Sequence, residues 1–259
     1  MMIKCWHITG DLHGRMQRLY DLKFDNPADH AIIVLGDFGI NYFGDESENI
    51  KKQMVNHKGF KIYAVRGNHE KRPEDVPGMI KQFDINVGGN VYYQPAYPNI
   101  RYFDNYGEYM INNMRTLVIG GAYSVDKFYR LSSGFQWFKN EQLNEVERMD
   151  CAEIASRGSY DLVLSHTCPY SWRPTDLFLS IIDQTTVDNT MEMWMNGIKD
   201  TCDWKVWCFG HFHDDRWVRR SENHDVFMLY QNVVYLNELF NGFSEDVVFT
   251  DDPKVNYPA

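Results

Sequence analysis

The sequence predicts a layered α/β fold, and three observations carry that reading. Short apolar runs of buried-strand length recur along the chain, helical stretches alternate with them, and five of the runs end in a polar cluster. The first unit reads strand, loop, helix: Ile3 to Thr9 (IKCWHIT), then GDLHG, then Met16 to Lys23 (MQRLYDLK). The pattern repeats as Ala31 to Leu35 (AIIVL), a continuous apolar run suited to a strand covered on both faces, followed by a helix over Glu46 to His57. Lys61 to Val65 (KIYAV) runs into Arg66-Gly67-Asn68-His69-Glu70, and the breaker-rich Lys71 to Gly78 (KRPEDVPG) reads as a surface loop. Arg115 to Ile119 (RTLVI) leads to Gly120-Gly121, a helix is predicted from Glu141 to Arg157, and Asp161 to Leu164 leads to Ser165-His166. Lys205 to Phe209 (KVWCF) leads to Gly210. Val226 to Tyr230 and Asn232 to Leu236 then read as a hairpin that closes a sheet.

Bulk properties narrow the function classes. No Pro/Gly/Ser-rich linker, low-complexity tract or internal repeat interrupts the 259 residues, so 1–259 is expected to form one domain. A formal charge of -10 and a pI near 5.3 disfavour nonspecific binding to nucleic acid or anionic membrane, which relies on clustered Lys and Arg. A phosphorylated small molecule or nucleotide remains open as a partner through a local site. The five cysteines contain no CxxC pair and suit buried thiols in a reducing compartment, so a cytoplasmic location is expected. The N-terminus lacks the apolar core of a signal peptide, and no apolar run approaches membrane-spanning length.

The polar clusters are Asp11-Leu12-His13, Gly36-Asp37, Asn68-His69, His166 and His211-Phe212-His213. In α/β architectures the carboxyl ends of neighbouring strands lie along one edge, so residues far apart in sequence converge there. His211 and His213, two positions apart on an extended segment, are expected to place both rings on one side. Carboxylate, imidazole and amide oxygen together make a mixed O/N donor set for manganese, iron, zinc or a similar divalent ion, and the lack of cysteine ligands argues against a structural zinc. His7, His30, His57 and His224 have no comparable setting and are assigned no role.

In order, the clusters read GDLHG, GDFG, GNHE, SHTCP and GHFH, spanning residues 11 to 213, and in this they resemble the calcineurin-like metallophosphoesterase superfamily. The resemblance implies two central mixed β-sheets packed together and flanked by helices. It also implies two divalent metal ions: Asp37 as the bridge, Asp11, His13 and His213 completing one position, and Asn68, His166 and His211 the other. His69 is implied as the catalytic residue beside the phosphate, not a ligand, and the implied reaction is hydrolysis of a phosphomonoester or phosphodiester by a hydroxide bridging the two ions. Arg66 has two readings, contact with a phosphate oxygen or pairing with a surface carboxylate. Tyr123 and Arg130, in the stretch Gly120 to Leu131 read as a loop, are candidates for lining the substrate pocket, as is Asp126.

The alternatives are a Ser/Thr protein phosphatase, a non-catalytic protein-binding scaffold of the same fold such as a retromer subunit, and a nuclease. The protein phosphatase branch continues its second motif as GDxVDRG where this chain has GDFGINYFG, so the arginine that branch uses is missing. The chain lacks a basic track for a nuclease, and its complete ligand set with His69 favours an enzyme over a scaffold. Residues 169–204 form an insertion between two metal motifs, placed to cover the site. Met191, Trp194 and Met195 on its helical piece, Asn189 to Lys199, read as core packing.

Overall fold

The computed structural model describes residues 2–220 and 223–241. One sheet holds β1 (Cys5–Thr9), β2 (His30–Val34), β3 (Lys61–Ala64), β4 (Ile80–Asp84), β5 (Gly89–Tyr93) and β6 (Ile100–Phe103). A second holds β7 (Tyr106–Ile111), β8 (Met114–Ile119), β9 (Ser159–Ser165), β10 (Asp203–Phe209), β11 (Arg216–Arg220) and β12 (Asp225–Met228), and β13 (Val234–Tyr235) returns to the first. The strand orders are β13-β1-β2-β3-β6-β5-β4 and β11-β12-β10-β9-β8-β7, so each sheet has a parallel centre and antiparallel edges. The helices are α1 (Gln17–Asp21), α2 (Glu46–Asn56), α3 (Lys127–Ser132), α4 (Glu145–Ala155), α5 (Thr190–Thr201) and α6 (Glu238–Asn241). The two mixed sheets with flanking helices are the layered α/β fold the sequence predicts.

The continuous apolar runs exist because each central strand is covered on both faces. Alternate side chains divide between layers. Ala31, Ile33 and Leu35 join Val118, Leu162, Leu164, Val206 and Cys208 in the core between the sheets. Ile32 and Val34 pack outward with Leu19 and Val55 of the helices, as Trp207 and Phe209 do with Met191, Met195 and Cys151. Met191 and Met195 are therefore core residues, with Trp194 packed against them. The cysteines are all free, and four of them are buried.

Several local expectations change. The runs at 226–230 and 232–236 do not form a hairpin: β12 pairs with β10 and β11, and β13 crosses to pair with β1 in the other sheet. The Asp215 carboxylate accepts the Tyr230 and Gln231 amides at 2.8 and 2.9 Å, turning the chain out of the sheet where a hairpin turn was expected. The helix predicted from Glu141 begins at Glu145, because the Asn144 side chain and Glu147 form a reciprocal capping box there. Lys71 to Gly78 is not a free surface loop. Arg72 is buried, bonds Glu147 and donates to the Asn140 and Gln142 carbonyls, pinning the segment to the second half of the chain. The stretch read as a loop at 120–131 contains the start of α3.

The two-sided burial predicts an asymmetric response to truncation. Leu164→Ala, in the inter-sheet core, should lower unfolding free energy by about 2–5 kcal/mol, whereas Met149→Ala, 67% exposed on α4, should stay within about 0.5 kcal/mol. Urea denaturation with unchanged slope checks both.

Candidate metal centre

The site grows from two parallel neighbours. β1 and β2 pair with Thr9 opposite Val34, so Asp11 and Asp37 leave the same edge of the sheet side by side. Backbone bonds lace their loops together: the Leu12 and His13 amides both donate to the Asp37 carbonyl, at 3.1 and 2.7 Å. This lacing holds His13 and Asp37 in the left-handed region, with φ of 46° and 45°, conformations that non-glycine residues keep only when their surroundings impose them. The approach is also too close for side chains at two glycines. A Cβ on Gly67 would lie 2.0 Å from Asp37 Oδ1, and one on Gly210 would lie 2.3 Å from Asp11 Oδ1.

The second sheet delivers the remaining imidazoles from the ends of β9 and β10. His211 and His213 are not extended as expected; both are left-handed, with φ of 70° and 58°. The rings diverge as a result. His211 meets His166 edge to face with centroids 5.0 Å apart, while His213 Nε2 lies 2.7 Å from His13 Nε2.

Asp37 divides its oxygens between the two sides. Oδ1 accepts the His69 amide at 2.8 Å and lies 3.6 Å from His166 Nε2, while Oδ2 lies 3.8 Å from His13 Nε2. Asp11 Oδ1 accepts the His211 amide at 2.9 Å. Its Oδ2, 3.3 Å from His213 Nε2 and 3.6 Å from His13 Nε2, is buried without a hydrogen-bond partner.

Asn68 is oriented from behind. Its Nδ2 donates to Ser124 Oγ at 2.9 Å, and the Ser124 hydroxyl donates to Glu141 Oε2 at 2.5 Å, where Trp137 Nε1 also donates at 2.8 Å. Asn68 Oδ1 then faces His166 Nε2 at 2.8 Å. His166 Nδ1 sits 2.7 Å from the Leu35 carbonyl, which fixes a proton on that nitrogen. In the neutral ring Nε2 is therefore an acceptor facing another acceptor. Sequence reasoning missed Ser124 and Glu141, which carry no local signal; the Asn144–Glu147 capping box was the one available hint that Glu141 lies outside the helix.

These atoms fit divalent cations. Crowded imidazole nitrogens and carboxylate oxygens and an unpartnered buried carboxylate oxygen all seek positive charge, and an O/N set without sulfur suits manganese, iron or zinc. Donor atoms lie within 4.8 Å of one another in three groups: Asp11, His13 and His213; His13, Asp37 and His69; Asp11, Asp37 and His166. The electrostatics agree. Burial opposes charge on His166, yet Asp37 and Asp11 hold it up at about 9, so without cations the ring carries a second proton on Nε2 that Asn68 Oδ1 accepts, and a bound cation would take that proton's place. Burial also opposes charge on Asp11 and Asp37, yet the surrounding histidines keep both well below the usual carboxylate range. His211 is pushed down to about 3 by burial and by His166, so its ring is neutral.

His69 stands at the rim. Its ring meets His13 edge to face with centroids 5.3 Å apart, and its Nε2 lies 3.9 Å from Asp126 Oδ1. Burial lowers its pKa, and Asp37 opposes that shift. Arg130 is 4% exposed, lies over the Tyr42 ring, and has Nη1 buried without a hydrogen bond, 4.0 Å from Asp126 Oδ1. Tyr123 lines a cavity of about 350 Å³ beside the centre, together with His211, His213 and side chains of the segment 173–192.

Neither reading of Arg66 holds. Its side chain is 0% exposed, and its guanidinium is spent on Asn105 Oδ1 at 2.7 Å and on the Gly67, Gly120 and Glu141 carbonyls. It fastens the loop carrying Asn68 to the loop carrying Glu141. Arg66→Lys, which cannot reproduce this fork of donors, should lower unfolding free energy by at least about 3 kcal/mol, read by urea denaturation of metal-free protein.

The fold has a solved counterpart at low sequence identity. A dimetal phosphatase from Danio rerio superposes with a TM-score of 0.51 at 10% identity, covering 89% of this chain and 88% of its own. A protein from Thermus thermophilus is matched with a TM-score of 0.48 at 13% identity, covering 88% of this chain and 89% of its own. No curated protein matches the sequence. The family model for calcineurin-like phosphoesterases matches residues 7–215, from β1 through the last histidine of the centre, and the chain belongs to that family.

Proposed function

We propose that the chain hydrolyses a phosphomonoester or phosphodiester in a metal-dependent reaction, with a phosphorylated small molecule or nucleotide as substrate. One observation carries this reading: Asp11, His13, Asp37, Asn68, His166, His211 and His213 converge on one edge, with His13 Nε2 2.7 Å from His213 Nε2, Asn68 Oδ1 2.8 Å from His166 Nε2 and Asp11 Oδ2 unpartnered. Asp37, with one oxygen toward each side, would hold both ions; Asp11, His13 and His213 would complete one position, and Asn68, His166 and His211 the other. Bound there, two divalent cations supply the charge that draws in and polarises a phosphate and lowers the pKa of water toward neutrality. The name of the Danio rerio neighbour agrees with this reading.

The protein's own groups do the remaining work. Ser124 and Glu141 keep the Asn68 oxygen turned inward. His69, at the rim beside Asp126, donates a proton to the leaving oxygen. Arg130 and Tyr123 are the groups assigned to the substrate side, and Arg66 is withdrawn from it.

Metal-loaded protein should contain two divalent ions per chain by elemental analysis, and chelation should abolish hydrolysis. Asp37→Asn should lower both metal content and turnover, since it removes the charge shared between the ions. Near-normal activity in that variant would place the bridge elsewhere.

His69→Asn should keep its metals while turnover falls roughly 100- to 10,000-fold with nucleoside or alkyl esters. The loss should be much smaller with nitrophenyl esters, whose leaving group departs without a proton. Equal losses for both would make His69 an electrostatic group and not an acid, and loss of metal would make it a ligand, which its position within 4.8 Å of His13 and Asp37 allows.

A further inference from the structure

We propose that Tyr230 is a positioning residue for His213: its ring is the wall that keeps the His213 imidazole aimed at one of the two metal positions. The inference rests on the phosphoesterase reading of the centre, and it concerns a residue beyond 215, where the family match ends. Two imidazoles of the centre are held in different ways. His166 is 0% exposed and its second ring nitrogen is fixed by the Leu35 carbonyl, so packing and a hydrogen bond both set its orientation. The His213 side chain is 48% exposed, and among the described residues none bonds its Nδ1. It also borders the cavity of about 350 Å³, which leaves the ring room to turn. An imidazole so placed samples several side-chain rotamers, and holding it in one of them costs free energy on metal binding. Tyr230 removes that freedom. The two rings stack 24° from parallel with centroids 4.9 Å apart, while His13 meets the Nε2 edge.

The wall is itself anchored to both strands that feed this half of the centre. The Tyr230 amide donates to Asp215 Oδ1 at 2.8 Å, two residues after His213, and its carbonyl accepts from Arg18 Nη1. Arg18 also donates to Thr9 Oγ1 at 2.7 Å and to the Asp11 carbonyl at 3.4 Å, and it lies 5.7 Å from the centroid of the Tyr230 ring. The backbone beneath is packed without slack: a Cβ on Gly10 would lie 1.9 Å from the Leu229 carbonyl oxygen and 2.7 Å from Tyr230 Cα. Tyr230 thus stands in fixed relation to Asp11 and His213, whose Oδ2 and Nε2 lie 3.3 Å apart. Two ligands fixed against one another bind an ion with less left to order. Among the described residues no hydrogen bond or ring contact joins Tyr230 to Asn68, His166 or His211, so the effect is confined to the ion that His213 holds.

Zinc titrations against a competing chromophoric chelator test this without any turnover. His213→Gln first identifies the ion that depends on His213. Tyr230→Leu should weaken that same ion about 10-fold and leave the other within about 2-fold. Tyr230→Phe keeps the ring and drops the hydroxyl, so it should match the parent within about 2-fold. In the His213→Gln background Tyr230→Leu should cause no further loss, since the ring then has no imidazole to hold. Metal-free Tyr230→Leu should unfold in urea in one cooperative transition, as the parent does. Equal weakening of both ions, an equal loss in Tyr230→Phe, a fully additive loss in the double variant, or loss of the cooperative transition would each overturn the role. A His213→Gln variant that loosens no ion would overturn the ligand assignment on which the inference stands, and that result is read before Tyr230 is changed. If the loaded protein hydrolyses no ester, the phosphoesterase reading fails, and the titrations still decide what Tyr230 does.

Discussion

Asp11 and Asp37 leave adjacent parallel strands and end with carboxylates that water scarcely reaches, both within 4.8 Å of the same His166 nitrogen. Two like charges held together out of water lose hydration and repel each other, so the fold around them must supply compensation. Much of the molecule near the sheet edge reads as that compensation. The His69 and His211 amides are turned toward the carboxylates, one to each, and His13, His166 and His213 surround them with imidazole nitrogens. Bending the chain so tightly puts His13, Asp37, His211 and His213 in the left-handed region, a strain that only well-packed strands beneath could hold. The deep inter-sheet core is thus the foundation on which the charged centre is held.

The same constraint explains what was legible in the sequence. A parallel strand buried on both faces is a short unbroken apolar run, and β2, β3, β9 and β10 are written that way toward their carboxyl ends. Their polar endings stand out against such runs, which is why the residues of the centre could be picked out in order. The edge strand β4 was silent for the complementary reason. β4 exposes four of its five residues, and its composition, IKQFD, carries neither a run nor a clean alternation. The apparent hairpin at 226–236 misled because two apolar runs with a short spacer look local, whereas the Asp215 carboxylate, well upstream of both, captures the spacer amides and sends the runs to different sheets. Long-range hydrogen bonds of that kind leave no periodicity to read.

Support behind the centre was invisible for a related reason. Glu141 gathers Ser124 and Trp137 side chains from either side and thereby aims the Asn68 amide, and Arg66 ties the same loops together through backbone carbonyls. Nothing about an isolated glutamate or serine announces such a role; it arises only when the loops after β3 and β8 meet. Arg66 makes the point in reverse. An arginine next to GNH invites a phosphate contact, yet a planar fork of donors is equally suited to capping several carbonyls where loops converge, and full burial decides for the second use.

The loop after Asp37 shows how a cation near the rim can be supplied from elsewhere in the fold. Instead of extending an arginine, GDFGINYFG folds back on α2, where the Glu48 carboxylate accepts the Tyr42, Phe43 and Gly44 amides at 2.5, 2.6 and 2.8 Å. That closure leaves Tyr42 as a platform, and Arg130 of α3 comes to lie over its ring, near enough to His69 to act on it electrostatically. A guanidinium thus reaches the same neighbourhood from an element much further along the chain. The strand ends have little freedom, because burial and left-handed turns fix them. The loops above them face only the looser demand of placing charge and shape within a few ångströms, and different segments can meet it.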